Sequence, residues 1–408
     1  MESMFAIAAL WLLLAVAASL LAHHLKLSMA LTEILVGVAA GFLADRYLAP
    51  GALGSDQQWL RFLASTGAVL LTFLAGSELE PAVLRRKWKE VSVVGLVGFV
   101  APFLGCAALA RLVLQWDVRA SWLAGVALST TSMAVVYAVM LETGFNRTDF
   151  GKGILGACFV NDLGTVLALG LIFAPFTMRT AAFVGATVAV LALLPATMRW
   201  LTRRYAFRTA AIRTKGVLVV LLGLGYLAIW SGSEAVLPAY LAGIVLANEM
   251  AEDKHWARRL RTLTIGFLTP FYFLRAGSLV SVPAVVAGAG VFLLLLAAKV
   301  ASKIFGLAPV IGAFRPHPKE RWYYTLLMST GLTFGTISAI YGFTHGIVSR
   351  NQYSLLVAAV IASAVVPTAI ATYAFVPRHL VQAPALDEEM TVLDREDERE
   401  TAAASGRQ

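Results

Sequence analysis

Charge is scarce in this sequence. Only 14% of its 408 residues are charged, whereas 59% are hydrophobic and the mean hydropathy is +0.76. Ordinary globular proteins contain about 25% charged residues and 45–50% apolar residues. The deficit excludes a disordered chain, a secreted mini-protein and a nucleic-acid-binding domain. It predicts an all-α polytopic membrane protein.

Cysteines and catalytic motifs are also few. Cys106 and Cys158 are the two cysteines, and both lie inside apolar segments, where a free cysteine serves as a small packing residue. His23, His24 and His345 lack metal-ligand spacing, and no phosphate-binding loop, zinc motif or nucleophile elbow occurs. We therefore expect no cofactor and no enzymatic activity.

Long apolar runs occupy most of the chain. A membrane-spanning helix needs about 20 mostly apolar residues. The runs predict thirteen spans, at about residues 4–22, 29–48, 59–78, 91–115, 121–141, 151–175, 180–200, 215–231, 236–250, 262–281, 284–305, 321–343 and 353–376.

Basic residues are distributed unevenly among the loops between these runs. Residues 381–408 carry eight acidic residues and three arginines, a net charge of −5, which leaves +14 on the rest of the chain. Most of those cations lie in odd-numbered loops, and cytoplasmic loops are enriched in Lys and Arg. We therefore expect a cell-membrane protein with its N-terminus outside and its C-terminus in the cytoplasm. The acidic tail is expected to be disordered.

Two stretches about 200 residues apart resemble each other. Residues 73–77 read Phe-Leu-Ala-Gly-Ser, residues 273–278 read Phe-Leu-Arg-Ala-Gly-Ser, and Pro-Ala-Val follows each a few residues later. The offset is seven spans, an odd number, so the second copy would be inserted upside down. This predicts two inverted six-helix repeats, spans 1–6 and 8–13, which is typical of transporters.

Charged residues inside the predicted spans are candidates for function, because charge is costly in a bilayer. Asp162 lies near the middle of span six and is predicted to bind a proton or an ion; a structural salt bridge is the alternative. Lys299, near the centre of span eleven, is the expected counter-charge. Lys303 is one turn further on, and we expect its ammonium to reach the headgroups. The sequence offers no explanation for Arg275.

Two spans contain stretches rich in hydroxyl groups. Residues 129–132 in span five are Ser-Thr-Thr-Ser, and residues 329–336 in span twelve contain Gly331 and Thr333. Ser and Thr can satisfy backbone groups where a membrane helix unwinds, although ordinary small-residue packing is the alternative. Because the stretches have matching places in the two halves, we predict broken helices that cross beside Asp162.

Four features together resemble the monovalent cation/proton antiporter superfamily. They are Asn161-Asp162, the Ser/Thr-rich span before it, the Phe-Leu-Ala-Gly-Ser-Glu-Leu-Glu-Pro stretch at 73–81, and Pro-Phe-Tyr-Phe at 270–273. The resemblance covers about residues 5–378. It is strongest to bacterial sodium/proton antiporters and to the transport domain of potassium-efflux systems.

The resemblance implies a set of site residues. Asp162 corresponds to the ion-binding aspartate, which would hold Na⁺ or K⁺, and Lys299 to the lysine of the core domain. The remaining positions are Asn161 and, in the unwound helix, Thr130, Thr131 and Ser132. The Asn-Asp form is similar to electroneutral exchangers, yet its combination with Lys299 mixes features of two subgroups, so the stoichiometry stays open.

The resemblance also implies a domain plan. Family members are homodimers in which a six-helix core slides against a dimerisation domain. Here the dimerisation domain would comprise residues 4–78 and 215–281, and the core 91–175 and 284–376, with a connector at 180–213 and the tail at 381–408. The expected partners are the bilayer, a second copy, monovalent cations and protons, without nucleic acid. No nucleotide domain follows span thirteen, which argues against a gated potassium-efflux system.

The predicted function is antiport of Na⁺ or K⁺ for H⁺ by alternating access, with Asp162 binding either the cation or the proton. Rival interpretations are a K⁺/H⁺ exchanger, a gated cation efflux pathway or channel, and an intramembrane enzyme. A channel usually shows a repeated filter or a ring of like charges, and an enzyme needs a paired nucleophile and base. One Asp–Lys pair fits neither class well. The sequence leaves the choice between Na⁺ and K⁺ open.

Overall fold

The computed structural model describes residues 2–25, 29–47, 53–77, 86–145, 148–173, 177–205, 211–233 and 235–380. The acidic tail at 381–408 lies outside these ranges, as do residues 78–81 of the Phe-Leu-Ala-Gly-Ser-Glu-Leu-Glu-Pro stretch. Nine helical segments within the described ranges are long and apolar enough to cross a membrane, and Val236–Val245 is a shorter apolar helix. The all-helical, multi-span architecture predicted from composition is therefore confirmed.

Eighteen α-helices can be followed in the described residues. In chain order they are α1 (Glu2–Leu25), α2 (Met29–Tyr47), α3 (Gln58–Ser77), α4 (Trp88–Ala108), α5 (Val118–Ser129), α6 (Met133–Thr143), α7 (Asp149–Phe173), α8 (Met178–Tyr205), α9 (Ile212–Ser231), α10 (Val236–Val245), α11 (Ala247–Glu252), α12 (Lys254–Leu263), α13 (Thr269–Ser278), α14 (Val282–Ala287), α15 (Ala289–Phe314), α16 (Pro318–Met328), α17 (Thr333–Thr344) and α18 (Arg350–Ala374). Each of the thirteen segments predicted to span the membrane contains helix among its described residues.

Local sequence signals fix several helix ends. Asp117 accepts a hydrogen bond from the N–H of Arg119 and caps α5. Ser349 and Gln352 form a reciprocal capping box at the start of α18. Gly232 ends α9 with a positive φ of 76°, a conformation that glycine adopts without the steric cost of a Cβ.

Two helices are interrupted where the hydroxyl-rich stretches predict breaks. α5 ends at Ser129, Thr130 is extended at φ −64° and ψ 152°, and α6 begins at Met133. α16 ends at Met328, and α17 begins at Thr333 after a non-helical residue at 332. The two interruptions touch, since the Thr131 hydroxyl donates to the Met328 carbonyl at 2.8 Å. Both predicted breaks are therefore present, and they lie in contact with each other.

Glycines allow two helix pairs to pack backbone against backbone. A methyl group at Gly37 of α2 would overlap the carbonyl of Leu274 in α13, and one at Gly41 would overlap that of Ser278. Because residue numbers increase in the same direction along both helices at these two contacts, α2 and α13 run parallel. α3 and α10 pack in the same way, and a methyl group at Gly76 would overlap the Tyr240 carbonyl. These two pairs form one side of the molecule.

The other side is organised around α4, which packs against α5, α7 and α15. Phe99 and Phe103 of α4 stack on each other, and Phe103 stacks on Trp122 of α5, with ring centroids 5.3 Å apart in both pairs. The two broken helices lie within this group, because α17 packs against α5 and α18 packs against both α16 and α17. This side therefore contains every residue of the predicted ion site.

Arg275, for which the sequence offers no explanation, anchors the segment before α3. Its Nε donates to the Ser55 carbonyl at 2.8 Å, and its Nη2 lies 3.6 Å from Oδ1 of Asp56. The Ser55 and Ser278 hydroxyls are hydrogen-bonded at 3.0 Å. Because Arg275 is only 6% exposed, these contacts account for its charge by fastening a loop to α13.

Candidate functional site

Asp162 lies in the middle of α7 and is 1% exposed. Neither of its carboxylate oxygens has a hydrogen-bond partner, and within the described residues no cation lies at ion-pair distance from it. A buried ionised carboxylate without a partner is costly. The cost is removed when a proton or a cation binds, so this side chain is arranged to receive a positively charged ligand.

Asn161, the residue before it, holds the first broken helix in place. Its Oδ1 accepts from the backbone N–H of Thr131 at 2.9 Å, and its Nδ2 donates to the carbonyl of Ser129 at 3.3 Å. Both backbone groups lose helical partners at the interruption. A neutral amide can satisfy a donor and an acceptor at once. Asn161 therefore connects α7 to both sides of the break.

Lys303 is part of the site, and the expectation that it reaches the headgroups is wrong. The side chain is fully buried, and its Nζ donates to the Thr131 hydroxyl at 2.9 Å. The buried residues of α15 recur every four positions, which places Lys303 on the same covered stripe as Lys299 and Leu307. Packing against α4 covers that stripe, so the ammonium faces protein instead of lipid headgroups.

Lys299 occupies a different position from the one implied by a simple pair with Asp162. Its Nζ donates to the Thr130 carbonyl at 3.2 Å and is in contact with Gly331. The lysine that interacts electrostatically with Asp162 is Lys303. Lys299 thus lies at the carbonyl end of α5, one helical turn from Lys303.

Four helix ends converge at the two interruptions. α5 and α16 end there with carbonyls, and α6 and α17 begin there with N–H groups, that have no partner within their own helix. Lys299 donates to the end of α5, and cations are favoured at such negative ends. At the start of α6, the N–H of Ser132 contacts the Thr330 hydroxyl at 3.4 Å. The oxygens here suit a hard monovalent cation.

The second interruption is held from α18. The Ser363 hydroxyl lies 3.4 Å from the Gly331 carbonyl. Gly331 leaves room for the Lys299 ammonium, and Thr333 begins α17 at 9% exposure. The structure therefore brings these predicted residues together around the two breaks beside Asp162: Asn161, Thr130, Thr131, Ser132, Lys299, Gly331 and Thr333.

Sequence reasoning missed Tyr240, which reaches the site from the other side of the molecule. Its hydroxyl donates to the Phe159 carbonyl at 3.1 Å, one turn before Asp162. Its ring packs against Phe159 and Phe334, with centroid separations of 5.4 Å and 5.7 Å. No local pattern around residue 240 identifies this contact. The i, i+4 spacing of Lys299 and Lys303, in contrast, indicates from the sequence alone that the two lysines share one face of α15.

Comparison with known proteins agrees with this geometry. The family described as "Sodium/hydrogen exchanger, transmembrane" matches residues 10–376. "Cation/H(+) antiporter 18" of Arabidopsis thaliana is 26% identical over 291 residues, which are 66% of this chain and 36% of that protein. The chain thus spans about a third of the length of this relative.

A solved structure shares the fold. The sodium proton antiporter MjNhaP1 from Methanocaldococcus jannaschii, determined at pH 8, superposes with a TM-score of 0.66 at 15% identity. The alignment covers 91% of this chain and 98% of the other. The chain therefore has an NhaP1-like fold.

Proposed function

The chain belongs to the sodium/hydrogen exchanger family of monovalent cation/proton antiporters, and from this membership we propose that it exchanges Na⁺ for H⁺ by alternating access at Asp162. One observation supports the assignment of the site above all others. Asp162 is a buried carboxylate whose two oxygens both lack a hydrogen-bond partner. Such a group needs a positively charged ligand, and the family supplies two candidates.

The coupling of the two ions follows from charge balance. One carboxylate neutralises one positive charge, so Asp162 binds either a proton or a cation. A proton arriving from one side displaces the cation, and a cation arriving from the other side displaces the proton. The site returns across the membrane only when one of them is bound, because an empty carboxylate is costly to bury. Exchange follows without leakage of either ion.

The other site residues have supporting roles in this proposal. Hydroxyls and backbone oxygens of Thr130, Thr131 and Ser132 supply further oxygen ligands for the cation. Asn161 keeps the interruption open by binding backbone groups on both sides of it. Gly331 and Thr333 provide the matching backbone of the second broken helix. Lys303 places a positive charge near Asp162, and Lys299 holds the carbonyl end of α5.

We propose that the helices form two inverted repeats within thirteen spans. The packing of α2 on α13 and of α3 on α10 supports this. These pairs join predicted span two to span ten, and span three to span nine. Exchanging the two repeats converts one pair into the other, as a pseudo-two-fold axis in the membrane plane requires.

The proposed motion separates the two sides of the molecule. Spans 4–6 and 11–13 would carry Asp162 past a dimerisation domain built from spans 1–3 and 8–10. Tyr240 lies at the boundary, since it belongs to α10 and contacts α7. We further propose a homodimer, on the basis of the family resemblance. Its N-terminus would lie outside and its basic loops in the cytoplasm, on the basis of loop charge.

The test measures transport in everted membrane vesicles with a dye that reports ΔpH. Na⁺, Li⁺ and K⁺ are added separately to vesicles containing wild type, Asp162→Asn or Asp45→Asn. Asp45 is a matched carboxylate on the surface, 58% exposed and 3.4 Å from Arg350. We expect Na⁺ and Li⁺ to release the dye's quenching in wild type and in Asp45→Asn, and not in Asp162→Asn.

Each other outcome has a definite meaning. A response to K⁺ alone would move the protein to the potassium-exchanging branch. Wild-type activity in folded Asp162→Asn would remove Asp162 from the mechanism. Membrane abundance and the elution volume of the purified variant establish that it is folded.

A further inference from the structure

Three side chains of types that can bind a metal ion lie together at the start of α16, away from Asp162. They are His317, which precedes α16, Glu320 in its first turn, and His379 in the short helix Arg378–Leu380 after α18. One ligand atom from each lies within 4.8 Å of the other two. His379 Nε2 and Glu320 Oε1 are 2.9 Å apart, and the two imidazole centroids are 4.3 Å apart.

We propose that His317, Glu320 and His379 bind a divalent transition-metal cation of the Zn²⁺ class. Two imidazole nitrogens and one carboxylate oxygen form a donor set that suits Zn²⁺, Co²⁺ or Ni²⁺ and disfavours Mg²⁺ or Ca²⁺, which prefer all-oxygen ligands. Ligand atoms about 2 Å from one ion lie about 3–4 Å apart, so only small side-chain rotations are needed.

The surroundings of Glu320 support the assignment. Its side chain is 12% exposed, and its second oxygen, Oε2, lies 3.8 Å from Nη1 of Arg315. Arg315 is itself fixed by a two-pronged pair with Glu90, at 3.0 Å and 3.1 Å. Arg315 thus holds Oε2 of Glu320, while Oε1 points to the histidines. Such outer-shell contacts orient metal-ligating carboxylates.

A bound ion would connect two distant parts of the chain. His317 is 62 residues from His379 in the sequence, and each adjoins a different helix of the core side. α16 leads directly from this site to the second interruption, about 16 Å away at 1.5 Å per residue. The metal would fasten the start of α16, the end remote from the interruption, to the segment that follows α18.

The nearby positive charges limit the affinity. Arg315 lies 3.8 Å from Glu320, and Lys319 and Arg378 directly precede Glu320 and His379 in the sequence. Each of these charges opposes the approach of a cation. We therefore expect reversible binding that a chelator removes, so the protein can be compared with and without metal.

The experiment titrates Co²⁺ into purified full-length protein, freed of its affinity tag and treated with chelator, and follows the visible absorption of bound Co²⁺. We expect one saturable site from which Zn²⁺ displaces Co²⁺. His317→Ala and His379→Ala should each weaken binding more than about 10-fold, since even outer-shell partners contribute that much. Glu320→Gln should do the same while preserving shape.

The other histidines supply the controls. His345→Ala removes an imidazole packed on Tyr341, and His23→Ala with His24→Ala removes the adjacent pair in α1. Both should bind Co²⁺ as wild type does. The proposal is overturned if wild type shows no saturable site, or if His317→Ala and His379→Ala bind like wild type. Both histidines are exposed, so these variants are expected to fold; their Tm in chelator verifies it.

Discussion

The Lys303 ammonium donates to the Thr131 hydroxyl at 2.9 Å, and that hydroxyl in turn donates to the Met328 carbonyl at 2.8 Å. This chain of bonds joins α15 to both broken helices. Thr131 thus holds the Lys303 ammonium and also connects the two interruptions. A movement of either broken helix would therefore shift the Lys303 ammonium.

Removing Lys303 should change cation affinity. In Lys303→Met the repulsion between the ammonium and an arriving cation is absent, so we expect a lower apparent KM for Na⁺. The measurement is the Na⁺ dependence of dequenching in vesicles. Lys299→Met is the comparison, because that lysine donates to Thr130 and does not face Asp162.

Lys299→Met should instead reduce stability. It leaves a buried carbonyl without a donor, at a cost of about 1–3 kcal/mol, measured as a lower Tm in detergent. If the two variants changed KM equally, the different positions of the two lysines would have no functional meaning.

Asn161→Asp should damage the protein rather than add a second ion site. A carboxylate cannot donate to the Ser129 carbonyl, and it places a second negative charge beside Asp162. We expect a loss of about 1–3 kcal/mol in stability together with slower exchange. Asn351→Asp makes the same change at an exposed position in the first turn of α18 and should leave Tm nearly unchanged. Wild-type stability in Asn161→Asp would contradict the assigned hydrogen bonds.

Gly331→Ala should displace Lys299. The added Cβ would collide with the Lys299 ammonium and lie 2.9 Å from the Thr130 hydroxyl. Overpacking of this kind costs about 1–3 kcal/mol, and we expect exchange to fall with it. Gly223→Ala in α9, where no neighbouring atom lies within 4 Å of the new Cβ, is the matched control. That control should be neutral or slightly stabilising; equal effects of the two substitutions would rule out crowding as the cause.

The pair between Glu90 and Arg315 should contribute more to stability than the pair between Asp45 and Arg350. The first has two hydrogen bonds and side chains 11% and 20% exposed, whereas the second has one 3.4 Å contact and side chains 58% and 50% exposed. Glu90→Gln should cost about 1.5–3 kcal/mol, and Asp45→Asn less than about 1 kcal/mol. Thermal unfolding of both variants in the same detergent provides the comparison, and a reversed order would refute it.

Much of the architecture is predictable because a bilayer imposes simple rules. Apolar runs of about 20 residues give the helices, and the hydroxyl-rich stretches give the two interruptions. Asp162 is identified because a charged side chain in the middle of an apolar span is costly to place in the bilayer and therefore indicates function. The family, too, follows from the sequence, and the match over residues 10–376 confirms it.

The partners of individual charges could not be predicted, because they depend on which helices pack together. Lys303 is expected at the interface from its place along the span, yet packing against α4 covers its face of α15. Arg275 is explained by the Ser55 carbonyl, 220 residues away in the chain, and by Asp56 beside it. The roles of the site residues, the orientation and the dimer remain predictions.

The interlocked pairs, α2 with α13 and α3 with α10, have a consequence for how the protein is made. Gly37 meets Leu274 only after a further 237 residues have been synthesised, a delay of about 10–50 s at ordinary rates of translation. Until then the glycine surfaces of α2 and α3 lie in the membrane without their partner helices. During synthesis the first half of the chain must therefore be protected from wrong contacts until α10 and α13 pack against it.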